Sequence, residues 1–205
     1  MRRIGLFGGS FNPVHMAHLV LAEQAREKAH LDSVRFIPAR RPPHKPHRPL
    51  APAADRSEML HLATADNPAF QVDTIELERT GPSYTLLTVR ELRRQMPKDA
   101  ELCLMLGGDS VRDLPNWWKS RELVEETTIV AMGRPGSPLA ESGELERAFG
   151  AEKAREILDS VVDTPLLEVS ATDIRRRIEE GASIRYLVPE PVRQYIAQHE
   201  VYPLR

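Results

Sequence analysis

The chain has 205 residues, which is enough for one α/β domain with a substantial core and short for two. Its formal charge of −2 and its pI near 6.4 give no electrostatic basis for binding nucleic acid. The single cysteine, Cys103, excludes a disulfide framework. Because neither a signal peptide nor an apolar span of about 18 residues is recognisable, we expect a soluble cytoplasmic protein without a membrane partner.

Apolar runs typical of strands alternate along the chain with helical patterns. We predict strands at residues 4–7, 34–37, 72–77, 102–106, 129–132 and 166–169. We predict helices at residues 19–29, 56–65, 84–95, 121–126 and 144–158, the last region as a packing helix pair. The alternation favours an α/β fold, a Rossmann-like doubly wound parallel sheet in a single domain over residues 1–205, with a small C-terminal helical part. In such sheets ligands bind where strands end, near a topological switch point.

The first predicted strand runs into Gly8 and Gly9, and a turn then leads to a helix that carries His15 and His18. Glycines let the backbone approach a ligand closely. A helix N-terminus after such a strand offers free N–H groups and about half a positive charge. Histidines three apart share a helical face, so both can reach an anion there. The pattern predicts an anion site, and we interpret the anion as nucleotide phosphate.

Three alternatives to this phosphate site remain. The histidines of an ordinary strand-loop-helix can simply lie at the surface. A zinc pair would need third and fourth ligands, and none of the usual types is evident nearby. The glycines match neither the G-x-G-x-x-G dinucleotide fingerprint nor the G-K-[ST] end of a P-loop.

A proline-dense basic loop, residues 38–52, follows the second predicted strand and contains six prolines. Its composition favours a solvated linker, although a loop after this strand is placed over the ligand edge of the sheet. Further along, Ser83 is a candidate N-cap for the helix that carries Tyr84 and Thr85.

Three further strand ends and helix starts carry candidate binding residues. Gly107 and Asp109 follow the fourth predicted strand, where a carboxylate can accept hydrogen bonds from ribose hydroxyls. Arg134 follows the fifth, either as a phosphate clamp or as a surface residue before a turn. The spacing of Ser170 and Asp173 predicts a helix cap, with Thr172 and Arg175 on one face. A cap alone also explains this last pattern, and the tail from Pro191 is expected to be structural.

The segment Gly8-Gly9-Ser10-Phe11-Asn12-Pro13-x-His15-x-x-His18 resembles the phosphate-binding signature of the nucleotidylyltransferases related to class I aminoacyl-tRNA synthetases. That family motif reads His-x-Gly-His, and this chain has Ala17 in place of the usual glycine. The Ser-x-Thr-x-x-Arg pattern at residues 170–175 resembles the second family signature, which grips the β- and γ-phosphates of ATP. Ser-Tyr-Thr at 83–85, Pro-Pro-His-Lys at 42–45 and Leu-Pro-x-Trp at 114–117 resemble the bacterial nicotinate mononucleotide adenylyltransferases.

The resemblance implies transfer of AMP from ATP to nicotinate mononucleotide, giving deamido-NAD and pyrophosphate in NAD biosynthesis. The two histidines are the implied catalytic residues, Mg²⁺ arrives with ATP, and the chain itself has no metal site. The implied ATP-binding residues are Gly8, Gly9, Ser10, Phe11, His15, His18, Gly107, Ser170, Thr172 and Arg175. The implied nicotinate mononucleotide-binding residues are Lys45, Tyr84, Thr85, Asp109, Trp117 and Arg134.

The mechanism expected from these residues needs no general base, because a nucleotide 5′-phosphate is largely dianionic at neutral pH. Rival acceptors are nicotinamide mononucleotide and phosphopantetheine, although the pyridine-facing residues disfavour the second. An aminoacyl-tRNA synthetase would need tRNA-binding domains for which the chain has no room. A non-catalytic nucleotide sensor is the alternative from another class. The sequence makes no prediction of oligomeric state.

Overall fold

The structure is a computed structural model, and it describes residues 2–43, 50–133 and 142–203. Within these ranges it has six strands: β1 Arg3–Gly9, β2 Ser33–Pro38, β3 Phe70–Val72, β4 Glu101–Gly107, β5 Thr128–Gly133 and β6 Val161–Asp163. They form one parallel sheet in the order β3-β2-β1-β4-β5-β6. This order reverses between β1 and β4, as in the Rossmann sheet, which confirms the predicted fold class.

The same described ranges contain ten α-helices and one 3₁₀ turn at Leu114–Asn116. The helices are α1 Met16–Lys28, α2 Ala53–Thr64, α3 Ile75–Glu78, α4 Thr85–Gln95, α5 Gly108–Asp113, α6 Ser120–Glu126, α7 Ser142–Phe149, α8 Ala151–Asp159, α9 Ala171–Glu179 and α10 Glu190–Gln198. None of the helices in the described ranges is long and apolar enough to cross a bilayer.

Contacts divide the chain into two compact units. The first comprises Met1–Phe7, Leu21–Arg35 and Tyr84–Leu166, and the second comprises Gly8–Val20, Phe36–Ser83 and Leu167–Arg205. In the first, β4 is a continuous apolar run with a fully buried middle, as expected of a parallel strand covered on both faces. In the second, α2 packs against α10 and β3. The single-domain interpretation of residues 1–205 stays a prediction.

Glycine at position 5 is required by packing inside the first unit. A Cβ there would lie 2.7 Å from Met105 Sδ and 2.8 Å from Leu31 Cδ1. These distances are shorter than van der Waals contact allows, so β1 can lie against its neighbours only without a side chain at this position. Gly5 therefore has a structural role.

Two strand predictions are wrong. At residues 72–77 the strand ends at Val72, because a turn at Asp73 leads into the short helix α3, whose N-cap is Thr74. The Asp73 N–H donates to Phe36 O over 2.9 Å, and its Oδ1 accepts from Ile75 N–H over 3.2 Å, which is an Asx turn. Residues 166–169 have no regular structure and Leu166 is 56% exposed, so the sixth strand is β6, which pairs with β5.

The predicted helices are confirmed, with ends that shift by up to three residues. The helical region predicted at 144–158 is divided into α7 and α8 at Gly150, whose φ is 87°. Left-handed backbone of this kind favours glycine, and it ends one helix before the next begins.

Candidate functional site

The loop after β1 is held by a buried aromatic ring. Phe11 is 2% exposed, and its ring centroid lies 5.0 Å from that of His18 in an edge contact and 5.8 Å from that of Phe36. A Cβ on Gly9 would lie 3.0 Å from the Phe11 ring, whereas a Cβ on Gly8 would meet nothing within 4 Å. Gly9 is thus part of the packing, while Gly8 presents bare backbone to open space.

The two histidines lie against each other at the start of α1. His15 directly precedes the helix, and its ring stacks on the ring of His18 with centroids 3.7 Å apart and an interplanar angle of 22°. The backbone joins them as well, since His18 N–H donates to His15 O over 2.9 Å. The two side chains therefore lie side by side, as the sequence predicted.

A hydrogen bond assigns the neutral tautomer of His18. The backbone N–H of His15 donates to His18 Nδ1 over 3.2 Å, and an amide can only donate in such a bond. Nδ1 is therefore the unprotonated nitrogen, and Nε2 of the neutral ring carries the hydrogen. An Nε2–H group is a suitable donor to a phosphate oxygen.

Burial keeps both imidazoles neutral near pH 7. Desolvation lowers the pKa of His15 to about 4 and holds the pKa of His18 well below its usual value, with the neighbouring His15 lowering it further. His15 is 6% exposed, and its Nδ1 has no hydrogen-bond partner among the described residues.

The start of α9 reaches the same loop. Ser170 caps this helix, because its Oγ accepts from Asp173 N–H over 3.1 Å, as its spacing predicted. Arg175 Nη1 donates to the carbonyl oxygen of Asn12 over 2.6 Å, and Nη2 lies 3.4 Å from Thr172 Oγ1. The structure thus brings Arg175 and Thr172 to the loop that leads into His15.

Buried polar groups that the sequence analysis missed support this loop. Asn12 Oδ1 accepts from Ala51 N–H over 3.0 Å and from the Tyr202 hydroxyl over 2.8 Å. Arg56 is 1% exposed and donates to Ser10 O over 2.7 Å. The sequence does carry a signal for the burial of Arg56, because this residue lies three, four and seven positions before the buried Met59, Leu60 and Ala63. An arginine that lies within the apolar stripe of a helix is expected to be buried.

Ser83 does not cap α4 as predicted. The N-cap is Tyr84, without a side-chain hydrogen bond. The buried Ser83 Oγ instead accepts from the backbone N–H groups of Arg40 and Arg41 over 3.1 and 3.2 Å, and Ser83 N–H donates to Arg41 O over 3.0 Å. The hydroxyl therefore stabilises the backbone of the loop that follows β2.

The pyridine-facing candidates of the sequence lie in the first unit. Tyr84 precedes Thr85 at the start of α4, and its ring stacks on Trp118 at a centroid distance of 4.8 Å. Trp117 is half-buried, and its Nε1–H donates to Asp113 Oδ2 over 3.2 Å, which orients the indole. The two tryptophans make different contacts, as expected for neighbours.

The remaining candidates differ in what surrounds them. Asp109 lies in the first turn of α5, is largely exposed, and pairs with Arg112. At Gly107 an added Cβ would meet nothing within 4 Å, so the end of β4 also presents open backbone. Lys45, with its neighbour His44, and Arg134 lie outside the described residues.

The described residues contain no group of three or more His, Cys, Asp or Glu side chains that could hold a metal ion. A divalent ion bound by the phosphate oxygens of a nucleotide needs no such group, since Mg²⁺ commonly keeps water and substrate oxygens as ligands.

Comparisons with known proteins show the family to which the chain belongs. The sequence model of the cytidylyltransferase-like family matches residues 6–177. A relative from Thermus thermophilus, named probable nicotinate-nucleotide adenylyltransferase, is 46% identical over 200 residues and is covered over 99% of its length, with 98% of this chain aligned. A relative of the same name from Exiguobacterium sibiricum is 46% identical, with 98% of each chain covered.

Solved structures of low sequence identity share the fold. The nicotinic acid mononucleotide adenylyltransferase of Plasmodium falciparum, solved in complex with NaAD, has a TM-score of 0.74 at 17% identity, covering all of this chain and 99% of that one. The corresponding complex with APC has a TM-score of 0.73 at 17% identity, with the same coverage. These likenesses extend over both units of the chain.

Proposed function

The chain belongs to the cytidylyltransferase-like family and, within it, to the nicotinate-nucleotide adenylyltransferases, and from this membership we propose how its residues act. It is a nucleotidyltransferase that transfers AMP from ATP to nicotinate mononucleotide, giving deamido-NAD and pyrophosphate in NAD biosynthesis. The observation that carries this function is 46% identity to relatives of that name over nearly the full length of both chains. The family match spans segments of both units, which supports a single nucleotidyltransferase domain.

The reaction is a displacement at phosphorus. An oxygen of the mononucleotide 5′-phosphate forms a bond to the α-phosphorus of ATP, and the bond from that phosphorus to the oxygen bridging to the β-phosphorus breaks. Pyrophosphate leaves with the bonding electrons. The attacking phosphate is already largely dianionic near pH 7, so no proton has to be removed. The work left to the protein is to align two anions and to stabilise negative charge in the transition state.

We assign the α- and β-phosphates to the loop and histidines after β1. The backbone of Gly8, Gly9, Ser10 and Phe11 and the His18 Nε2–H group supply donors, and the stacked His15 supports the ring of its neighbour. The support for this assignment is the His18 tautomer, fixed by a bond 3.2 Å long, and the open backbone at Gly8. Because both rings are neutral without ligand, bound phosphate raises their pKa values and strengthens their hydrogen bonds to it.

We assign the departing pyrophosphate to the start of α9. Arg175, Thr172 and Ser170 are its ligands, and the support is the Arg175 bond to Asn12 O in the phosphate loop. Mg²⁺ is the ion we propose, entering on ATP, and when bound it withdraws negative charge from the phosphate oxygens. We expect catalysis in the cytoplasm, in keeping with a single thiol at Cys103 that is fully buried.

We assign nicotinate mononucleotide to residues that match the pyridine branch of the family. The start of α4, with Tyr84 and Thr85, offers N–H groups and a hydroxyl to the pyridine carboxylate. The oriented indole of Trp117 stacks on the pyridine ring. Gly107 and Asp109 lie where β4 ends, and we assign the glycine to ATP and the carboxylate to the mononucleotide. Lys45 and Arg134 complete the mononucleotide set on the resemblance alone.

A single-turnover assay with either mononucleotide tests the function. With ATP and nicotinate mononucleotide we expect deamido-NAD and pyrophosphate in equal amounts, and a slower reaction with nicotinamide mononucleotide. A faster reaction with the amide would reassign the acceptor. Absence of pyrophosphate with both, in protein that still binds ATP, would identify a nucleotide sensor instead.

A further inference from the structure

Arg56 is a buried cation in the second unit whose charge is not neutralised by any described residue. Its side chain is 1% exposed, and its guanidinium donates to Ser10 O over 2.7 Å and to Ala51 O over 3.1 Å. No carboxylate of residues 2–43, 50–133 or 142–203 forms an ion pair with it. Burial lowers the pKa of Arg56, although an arginine in a protein stays charged.

This arrangement is unusual because buried arginines are nearly always paired with an acid. The neighbouring acid on α2 is Asp55, but its Oδ1 accepts from the Tyr195 hydroxyl of α10 over 2.8 Å. The two carbonyl oxygens accept hydrogen bonds from Nε and Nη1 of Arg56 without cancelling its charge. A positive charge that water screens little therefore remains in hydrogen-bond contact with the Ser10 carbonyl oxygen.

The charge of Arg56 lies next to the loop of residues 8–11, which we assign to the phosphates, and this position suggests a role in binding them. Ser10 follows Gly8 and Gly9 in the loop assigned to the phosphates, and its carbonyl oxygen is held by the guanidinium. The next residues of the loop are held by other groups, since Asn12 is bonded by Tyr202 and by Arg175. Arg56 thus fixes the loop from inside the protein and contributes a charge that the other inner support, the Tyr202 hydroxyl, lacks.

We propose that Arg56 is a positioning residue for the polyphosphate, which holds the Ser10 carbonyl and attracts the nucleotide through its unneutralised charge. The proposal rests on the proposed function, in that residues 8–18 bind the phosphates of ATP. A charge acting at a distance favours ligands in proportion to their own charge. Arg56 therefore contributes more to the binding free energy of ATP than to that of ADP, and more to that of ADP than to that of AMP. A residue that only held the loop in place would not produce this order.

The test compares Arg56→Lys, which keeps the charge, with Arg56→Gln, which keeps a donor and loses the charge. Dissociation constants for AMP, ADP and ATP are measured by calorimetry on the full chain. We expect the glutamine variant to bind ATP about tenfold more weakly than the lysine variant and AMP about threefold or less, with ADP between. Tyr202→Phe is the matched control, because it removes a bond to the same loop without removing charge, and it should weaken all three nucleotides by one common factor.

Equal weakening of the three nucleotides by Arg56→Gln, or equal affinities of the glutamine and lysine variants, would overturn the proposal. If the glutamine variant does not fold, Arg56→Met supplies the neutral comparison, because the methionine side chain is about as long as that of glutamine. If Arg56→Gln shows the graded loss but the wild-type chain transfers no AMP, the proposed function is overturned and Arg56 keeps its role in binding. If the wild-type chain transfers AMP but Arg56→Gln shows no graded loss, the role of Arg56 alone is overturned.

Discussion

Lowering the pH from about 7 to about 4 is expected to destabilise the folded chain through His15. Burial lowers the pKa of this side chain to about 4, whereas an unfolded histidine has a pKa of about 6.5. Above pH 6.5 neither state binds the proton, so the stability is fully present there. As the pH falls toward 4, the unfolded chain takes up a proton that the folded chain does not, and the free energy of unfolding decreases.

The size of this effect follows from the two pKa values. They differ by about 2.5, and each pKa unit corresponds to about 1.4 kcal/mol, so His15 contributes a loss of about 3 kcal/mol across the window. Since His18 shares the direction of the pKa shift, it adds to the loss in the same window. The loss ends near pH 4, where the folded chain also begins to bind the proton.

Urea unfolding at several pH values measures this loss in the wild type and in His15→Gln. The difference between the two profiles contains the titration of His15 and its effect on the neighbouring His18, and it should change by about 3 kcal/mol between about pH 6.5 and about pH 4. His61→Gln, which removes an exposed imidazole from α2, is the matched control. A difference between wild type and His15→Gln that stays constant with pH would refute the reasoning that His15 is buried and neutral.

Four further predictions concern ligand binding, catalysis and stability. His18→Ala should lower kcat by about 10²–10³, the usual cost of one transition-state donor, and near-normal turnover would refute its assignment. Gly8→Ala should leave the free energy of unfolding within about 0.5 kcal/mol of wild type, because its Cβ meets nothing within 4 Å, yet raise KM for ATP about tenfold. Gly9→Ala should instead lower the free energy of unfolding by about 1–2 kcal/mol, because its Cβ would press on the Phe11 ring at 3.0 Å; equal urea midpoints for the two variants would contradict this. Trp117→Ala should raise KM for nicotinate mononucleotide about tenfold and leave KM for ATP nearly unchanged, and an equal rise in both would argue against stacking on the pyridine.

Local patterns explain what the sequence could predict of this fold. The cap at Ser170 depends on a residue three positions away, and the strand-loop-helix at residues 3–28 depends on a contiguous run of apolar residues, glycines and turn residues. The strand at 72–77 failed for a local reason too, since the Asx turn of Asp73 competes with the β-propensity of the residues that follow.

Contacts between distant parts of the chain explain what the sequence could not predict. The Ser83 hydroxyl, expected to cap its own helix, bonds to backbone 42 and 43 residues away. The Arg56 bond to Ser10 spans 46 residues, and the Tyr202 bond to Asn12 spans 190. No periodicity specifies such partners, so the hydrogen bonds that support residues 10 and 12 could be identified only in the folded chain, even though the sequence carries a signal that Arg56 is buried.

The convergence of two helix starts on one triphosphate is tested most directly by a crystal structure of the chain with a non-hydrolysable ATP analogue. We expect His18 Nε2 and the Arg175 guanidinium each within about 3 Å of a phosphate oxygen, with the histidine on the inner phosphates and the arginine on the outer ones. A triphosphate that contacts only one of these two side chains, or neither, would contradict the account.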